Sequence, residues 1–364
     1  MKKNRAGLIS VLAVIMGLLL ASILLLVTGK NPLDMFSALL LSMTGFDVSA
    51  PAKGINMMYP LNWLLNCLPV ILTGLSVGFA YRTGMFNIGG EGQFIVGSLA
   101  AAIVALFVKL PPIIHPIACV LAGGLAGACW AFLPGFLKAV RNVNEVVICI
   151  MMNYIALYFN SWVVRTWLPV DQKTLARTDP FPDSASFTPL NFGTSSKFHM
   201  GFIIVIICLI LFWFIIEKTS FGFSLRATGF NKEGARYAGM ATTRNTILSM
   251  MIAGAFTGIA GALVTLGVYG YGRIFTAFDN YGFDGISVAL IGTCHTSGIL
   301  LAGMLIGLLK AAGTTLQLLG ISKEIAQLIQ ACILIFIANK YGIEKILAKI
   351  DKKKEEKGKE AVNS

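Results

Sequence analysis

Apolar runs of about 20 residues, separated by short polar connectors, recur along the whole sequence. A helix of that length matches the hydrocarbon core of a bilayer, which is about 30 Å thick. Only 13% of the residues are charged, whereas a soluble domain carries about 25%. The pattern therefore predicts an all-α, polytopic membrane protein and argues against an ordinary soluble domain.

Ten segments fit transmembrane helices by length and apolar content. Their ends coincide with polar or charged residues, as expected where a chain leaves the bilayer. The predicted segments are residues 7–29, 60–81, 92–109, 113–134, 143–165, 200–217, 245–268, 282–295, 298–318 and 324–341.

Three of the apolar stretches have lengths that set them apart. Residues 7–29 follow a basic start but exceed a signal-peptide core, so we expect an uncleaved first helix. Residues 282–295 are short enough to be a half-helix or a re-entrant segment. Residues 33–43 cannot span, and we expect them to lie in the interface or to pack on the bundle.

Basic residues are distributed unevenly between the two sides of this ten-span topology. The side that holds the N-terminus carries 19 of the 29 Lys and Arg residues, and the other side carries 9. Positive charge is enriched in cytoplasmic segments, so both termini are predicted to be cytoplasmic. The net charge of +12 comes from helix ends and the tail, so the expected partner is the lipid bilayer and not nucleic acid.

This reading divides the chain into four parts. Residues 1–29 form the cytoplasmic N-terminus and the first transmembrane helix, and residues 30–59 form an external connector. Residues 60–341 form a core domain, and residues 342–364 a charged cytoplasmic tail. The core includes a proline-rich external loop, residues 166–199, expected to be exposed and without helical period, and a cytoplasmic segment, residues 218–243.

Several motifs of common catalytic and nucleotide-binding proteins are missing from the sequence. It has no HExxH, CxxC or GxxxxGK[ST] pattern. The three histidines are isolated, and the seven cysteines lie in apolar runs without metal-ligand spacing. We therefore assign no catalytic or metal-ligating residue and no bound cofactor, and we expect a protein that is not an enzyme.

Sparse polar residues at membrane depth are the strongest functional signal. The stretch GMFNIGGEGQ, residues 84–93, places Asn87, Glu91 and Gln93 among four glycines between two apolar runs. Asn153 lies within VVICIMMNYIALYF, and Asp284 begins a later apolar run. Each residue alone could cap a helix, bond to a neighbouring helix or lie at the interface. Together they favour the lining of a solute path.

A short helix is predicted inside the segment 218–243. Asn231 suits its N-cap, Glu233 its first turn and Gly239 its C-terminal end. Gly234 weakens such a helix by about 1 kcal/mol relative to alanine. An isolated helix this short is marginal in water, so another surface must support it.

Four stretches resemble the permease subunits of bacterial ABC importers, in the group of branched-chain amino-acid and simple-sugar permeases. They are GMFNIGGEGQ, NEVVICIMMNYIA, ATGFNKEGARYAGM and YGFDGISVALIG, in this order along the chain. Within the group, the chain is most similar to the nucleoside and simple-sugar permeases that work with basic-membrane-protein-type lipoproteins. The resemblance covers about residues 60–340.

The resemblance implies a type II-like importer permease bundle in the bacterial cell membrane, for a nucleoside or a related sugar-like solute. It implies three protein partners: a cytoplasmic ATP-binding subunit that holds ATP and Mg²⁺, a second and related permease chain, and an external substrate-binding lipoprotein. Pore contacts can then be weak, since the lipoprotein supplies the affinity. It also makes the segment NKEGARYAGM an ATPase-coupling element, with Asn231, Glu233, Gly234, Ala235, Arg236 and Gly239 as its residues.

The chain departs from the family pattern in that element. Lys232 stands where proline is frequent, and Gly234 where alanine is frequent. We expect the small residues Gly234, Ala235, Ala238 and Gly239 to form the contact surface, because they allow close approach.

Two alternatives stay open from the residues themselves. A secondary transporter or channel would also need a polar path, but it would transport alone and would not need an ATPase-docking segment. A membrane enzyme would need an acid–base set, which three scattered histidines do not supply.

Overall fold

The computed structural model describes residues 2–48, 54–171, 176–187 and 195–338, and this part of the chain is mostly helical. Clustering of contacts divides it into two compact units. One consists of Met1–Ile55 with Leu309–Ser364, and the other is Asn56–Leu308.

The first unit contains the helices near the two ends of the chain. They are α1 (Lys2–Val27), α2 (Pro32–Thr44), the last turns of α12 (Thr296–Leu318) and α13 (Lys323–Ala338).

The short helix α2 has clear start and stop signals. The side chain of Asn31 accepts a hydrogen bond from the backbone N–H of Leu33 at 3.0 Å, and Pro32 occupies the first helical position. Gly45 ends the helix in the left-handed region, at φ 76°. Ser42 is buried and shares a 3.1 Å hydrogen bond with Thr315. The short segment predicted at 33–43 is thus a helix that packs within its unit.

The second unit holds nine complete helices and the first turns of α12 within its described residues. Two of the helices, α7 and α10, continue into a π-helical turn, Phe214–Lys218 and Thr265–Tyr269 respectively. The nine are α3 (Met58–Arg82), α4 (Gly90–Phe107), α5 (Ile114–Arg141), α6 (Glu145–Trp167), α7 (Phe202–Trp213), α8 (Ser220–Phe230), α9 (Lys232–Tyr237), α10 (Thr242–Val264) and α11 (Tyr281–Ile291).

Six helices in the described part of the chain are long and apolar enough to cross a bilayer: α3, α4, α5, α6, α10 with its π-turn, and α12. The pair formed by Phe202–Lys218 and Ser220–Phe230, bent by 73°, would be a seventh if it is one span. All ten predicted segments overlap a helix. Helix α11 has 11 residues, which gives about 16 Å at 1.5 Å per residue and is too short to cross. The structure therefore supports several spans, while a total of ten stays a prediction.

Glycines allow the backbones of α4, α5 and α10 to touch. A methyl group at Gly258 of α10 would overlap the carbonyl oxygen of Gly123 of α5. One at Gly127 would overlap the carbonyl of Gly254, and one at Gly97 of α4 would overlap Gly258. The glycines of α5 and α10 therefore allow close helix packing, which gives these three helices a common core.

The loop 166–199 is more ordered than the sequence indicates. Strand β1 (Arg177–Pro180) pairs antiparallel with β2 (Tyr271–Arg273), which follows α10. Thr178, Phe181 and His199 are buried, and Gly272 N–H donates to Thr178 Oγ1 at 2.8 Å. The loop is therefore exposed only in part, and the expectation of an exposed loop is wrong for these buried side chains. Residues 172–175 and 188–194 lie outside the described residues.

The segment 218–243 contains two helices where the sequence predicts one. Helix α8 begins at Ser220, where the Thr219 side chain accepts from Gly222 N–H at 2.9 Å. A methyl group at Gly222 would overlap the carbonyl of Ile215, so glycine permits the sharp bend between α7 and α8. The predicted short helix is present as α9.

We predict that Gly258→Ala lowers the melting temperature of the detergent-purified protein. Overpacking of this kind lowers the free energy of unfolding by about 1–3 kcal/mol. Gly313→Ala in α12 is the matched control, because its nearest neighbour, Ala326 Cβ, would lie at an ordinary 3.7 Å. That control should be neutral or slightly stabilising. Equal melting temperatures for both variants would contradict the packing described for α4, α5 and α10.

Candidate functional site

A break between α3 and α4 contains the polar stretch predicted at 84–93. Asn87 Nδ2 donates to Gln93 Oε1 at 2.8 Å, and Gln93 Nε2 donates to Asn87 Oδ1 at 2.9 Å. Asn87 also donates to Ser76 Oγ at 2.9 Å and accepts from Gly89 N–H at 3.1 Å. Both amides are buried. The reciprocal pair satisfies the two buried amides, and the bond from Gly89 N–H satisfies one backbone group of the break.

Asn153 of α6 attaches the neighbouring helix to the same break. Its Oδ1 accepts from Gly92 N–H at 2.8 Å, and its Nδ2 donates to the Ile88 carbonyl at 3.0 Å. A methyl group at Gly92 would lie 3.0 Å from Asn153 Cα, so a glycine keeps this approach open. Asn153 is buried and bonds backbone groups on both sides of the start of α4.

Glu91 caps a helix from which it is distant in sequence. Its Oε1 accepts from the backbone N–H groups of Gly282 at 2.7 Å and Phe283 at 3.2 Å, in the first turn of α11. The N-cap residue of that helix, Asn280, has φ 64° and makes no side-chain cap bond. Glu91 is only 1% exposed. The N–H groups and the positive end of the helix dipole therefore compensate for the burial of its carboxylate.

The structure thus brings four of the five predicted path residues together. Asn87 and Gln93 bond to each other, Asn153 bonds to backbone at the break, and Glu91 bonds to the backbone of α11. The fifth, Asp284, is half-buried in the same first turn of α11 that Glu91 caps. We call this set, Asn87, Glu91, Gln93 and Asn153, the break network.

Sequence reasoning missed several hydroxyl groups that extend the buried polar set. Ser76 accepts from Asn87, Thr83 shares a hydrogen bond with Ser249, and Ser98 shares one with Thr265. Single Ser and Thr residues occur often in apolar helices and bond to their own backbone. They therefore carry no signal that distinguishes an interhelical bond in advance.

Helix α9 has the caps predicted for it. Asn231 Oδ1 accepts from Gly234 N–H at 2.9 Å, and Gly239 follows the helix at φ +79°. Three of the four residues expected at the contact surface, Gly234, Ala238 and Gly239, are exposed, but the fourth, Ala235, is only 5% exposed and packs against its own chain. Two aromatic side chains are also exposed there, namely Tyr237, 99% exposed, and Phe230 at the end of α8, 88% exposed.

A charged cluster connects the end of α3 to the bend between α7 and α8. Arg82 donates to Glu217 Oε1 at 2.6 Å, and Arg226 of α8 donates to Glu217 Oε2 at 3.2 Å. Arg82 also donates to His295 Nδ1 at 3.2 Å, in the turn before α12. One carboxylate shared by two arginines fixes the position of α8, and hence of α9, relative to α3.

The paired strands carry a second charged cluster. Arg177 Nε donates to Asp171 at 3.0 Å, and this hydrogen bond raises the pKa of Arg177. The Arg177 guanidinium also lies 4.9 Å from the centre of the Tyr271 ring. Arg273 is ion-paired with Asp279. Of these contacts, the Arg177–Tyr271 pair joins β1 to β2, and each ion pair is local to the segment of one strand.

Long apolar helices around a buried polar break define a multi-pass membrane protein whose helices are interrupted where solute paths usually lie. Residues 59–338 match a family described as the permease component of branched-chain amino acid transport systems. The match covers more than half of the chain. The chain belongs to this family of transport permeases.

Three relatives show how far the similarity extends. The guanosine ABC transporter permease protein NupP of Bacillus subtilis is 37% identical over 350 residues, 95% of this chain and 97% of that protein. The nucleoside ABC transporter permease protein NupB of Lactococcus lactis is 34% identical over 359 residues, 95% of this chain and 94% of that protein. The guanosine ABC transporter permease protein NupQ of Bacillus subtilis is 25% identical over 268 residues, 72% of this chain and 83% of that protein.

The Glu91 cap generates a matched pair of variants. Glu91→Gln keeps an oxygen that accepts from Gly282 and Phe283, so the assembled protein should melt close to the wild type. Glu91→Leu leaves two buried N–H groups unpaired, at about 1–3 kcal/mol for each group. We expect a clear loss of melting temperature in detergent for Glu91→Leu alone, and equal stability of the two variants would refute the cap.

Proposed function

We propose that this chain is the permease subunit of an ATP-driven importer of nucleosides or of a related sugar-like solute. The observation that supports this most is its similarity, over 95% of its length, to permeases named for guanosine and for nucleosides. In this proposal the chain hydrolyses no ATP itself. ATP and Mg²⁺ are bound by a separate cytoplasmic subunit.

The break network borders the solute path in this proposal, together with Asp284. Amide and carboxylate groups are donors and acceptors that suit ribose hydroxyls and base edges. In the described conformation the four network side chains bond to one another and to backbone. A solute would therefore meet them only after the helices move and these internal bonds are exchanged for solute bonds.

The importer would contain a second permease chain and an external substrate-binding lipoprotein. Bacillus subtilis has two guanosine ABC transporter permease proteins similar to this chain, at 37% and 25% identity. That difference in similarity favours a partner permease that is related but not identical. A binding lipoprotein would supply the affinity that weak pore contacts lack.

Helix α9 is the proposed contact with the ATPase. In the proposed topology of ten spans with both termini in the cytoplasm, α9 would lie on the cytoplasmic side. The excess of basic residues on that side supports this topology. Tyr237 and Phe230 are large aromatic side chains and are almost fully exposed, and aromatic side chains are enriched at protein interfaces. The Arg82–Glu217–Arg226 contacts would transmit movement of α8 and α9 to α3.

Solute uptake tests the function directly. Deletion of this chain in its host should reduce the uptake of radiolabelled guanosine, and expression of the chain with its partner subunits should restore it. Uptake of a branched-chain amino acid is the control and should not change. Guanosine transport by the purified chain alone in vesicles, driven by an ion gradient, would instead favour a secondary transporter.

Replacement of Tyr237 tests the coupling element. In vesicles with the complete importer, Tyr237→Ala should reduce the ATP hydrolysis stimulated by solute-loaded binding protein at least tenfold, since an interface anchor is lost. Tyr237→Phe keeps the ring and should retain most of the stimulation. Subunit stoichiometry is measured on the same samples, and normal stimulation of a fully assembled Tyr237→Ala importer would show that α9 is not the contact.

A further inference from the structure

A cleft of about 780 Å³ lies beside α9, between the end of α5 and the start of α10. We call the charged residues of its lining, which come from α9 and the first turn of α10, the rim: Lys232, Glu233, Arg236 and Arg244. We call the apolar lining residues of α5 and α10 the floor. The cleft is separate from the break network, whose residues do not line it.

The rim carries an excess of positive charge. It contains three basic residues, Lys232, Arg236 and Arg244, and one acidic residue, Glu233. All three basic side chains are exposed, and none forms an ion pair with another residue in the described ranges. Two of them are arginines, whose planar guanidinium groups bind phosphate through two parallel hydrogen bonds. The rim is therefore complementary to a phosphate-bearing anion.

The start of α10 adds to this complementarity. Its N-cap residue, Ala241, makes no side-chain cap bond, and its first turn contains no acidic residue. Thr243 and Arg244 of that turn line the cleft. An anion at the rim would also face the positive end of the helix dipole.

The floor indicates what else the ligand contains. Phe132 of α5 and Ile247, Leu248 and Met251 of α10 line it. Both helices are long and apolar enough to cross a bilayer, and Phe132 is 42% exposed. A cleft with a cationic rim and an apolar floor on such helices fits an amphipathic anion, and its volume exceeds that of a free phosphate.

We propose that this cleft binds an anionic phospholipid. The phosphate lies between Lys232, Arg236 and Arg244, and one acyl chain runs along Phe132, Ile247 and Leu248. A bound lipid would then contact α9 directly, so anionic lipid would support the position of a six-residue helix that is marginal by itself.

Native mass spectrometry of the purified importer, titrated with lipid, tests this site. Phosphatidylglycerol should bind at least tenfold more tightly than phosphatidylcholine, and glycerol phosphate should not compete. The double variant Lys232→Gln with Arg244→Gln should lower phosphatidylglycerol affinity at least tenfold. Arg141→Gln is the matched control, with a charge loss at the same end of α5 but outside the cleft lining, and it should stay within twofold.

Several results would overturn the proposal. Equal loss in the Arg141 control would mean general surface attraction, and competition by glycerol phosphate would mean a site for a free phosphate. Binding to the permease chains but not to the complete importer would mean that the ATPase occupies the cleft. If the double variant does not assemble, Arg236→Gln alone with the same titration decides, and unchanged affinity there would refute the site.

Discussion

A carboxylate buried among apolar helices must find hydrogen-bond donors, and this requirement organises the centre of the chain. Glu91 meets it by accepting from Gly282 and Phe283 at the start of α11. A helix of 11 residues is thereby held at the first turn of α4, far from it in sequence. The break before α4 is then stabilised by Asn153 and by the Asn87–Gln93 pair. Irregular backbone is tolerated between these helices because α3, α6 and α11 each take part in a hydrogen bond there.

Close helix packing makes these long-range bonds geometrically possible. Direct backbone contact at Gly97, Gly127 and Gly258 brings α4, α5 and α10 together without intervening side chains. Glycine contacts recur at the break, where a methyl group at Gly282 would lie 2.5 Å from Glu91 N. Polar bonds and small residues therefore act together, since the glycines let the start of α11 approach α4 where the Glu91 carboxylate bonds to it.

Much of this could be predicted from the sequence, because apolar length, glycine and polar residues at membrane depth are local signals. They indicated the helices, the break at 84–93 and both caps of α9. The burial of Ala235 could not be predicted, since it depends on how α9 packs against the neighbouring helices α8 and α10. The pairing of β1 with β2 was missed for a similar reason. Strands of four and three residues are too short to show a period in the sequence, and they are defined by their pairing with each other in the folded chain.

Amide hydrogen exchange at Gly282 and Phe283, resolved to single residues in the purified protein, tests the central claim most directly. If Glu91 caps α11, these two amides exchange slowly in the wild type and in Glu91→Gln, and at least tenfold faster in Glu91→Leu. Amides in the middle of α4 should keep their rates in all three proteins. Equal rates at Gly282 and Phe283 in the wild type and in Glu91→Leu would contradict the account.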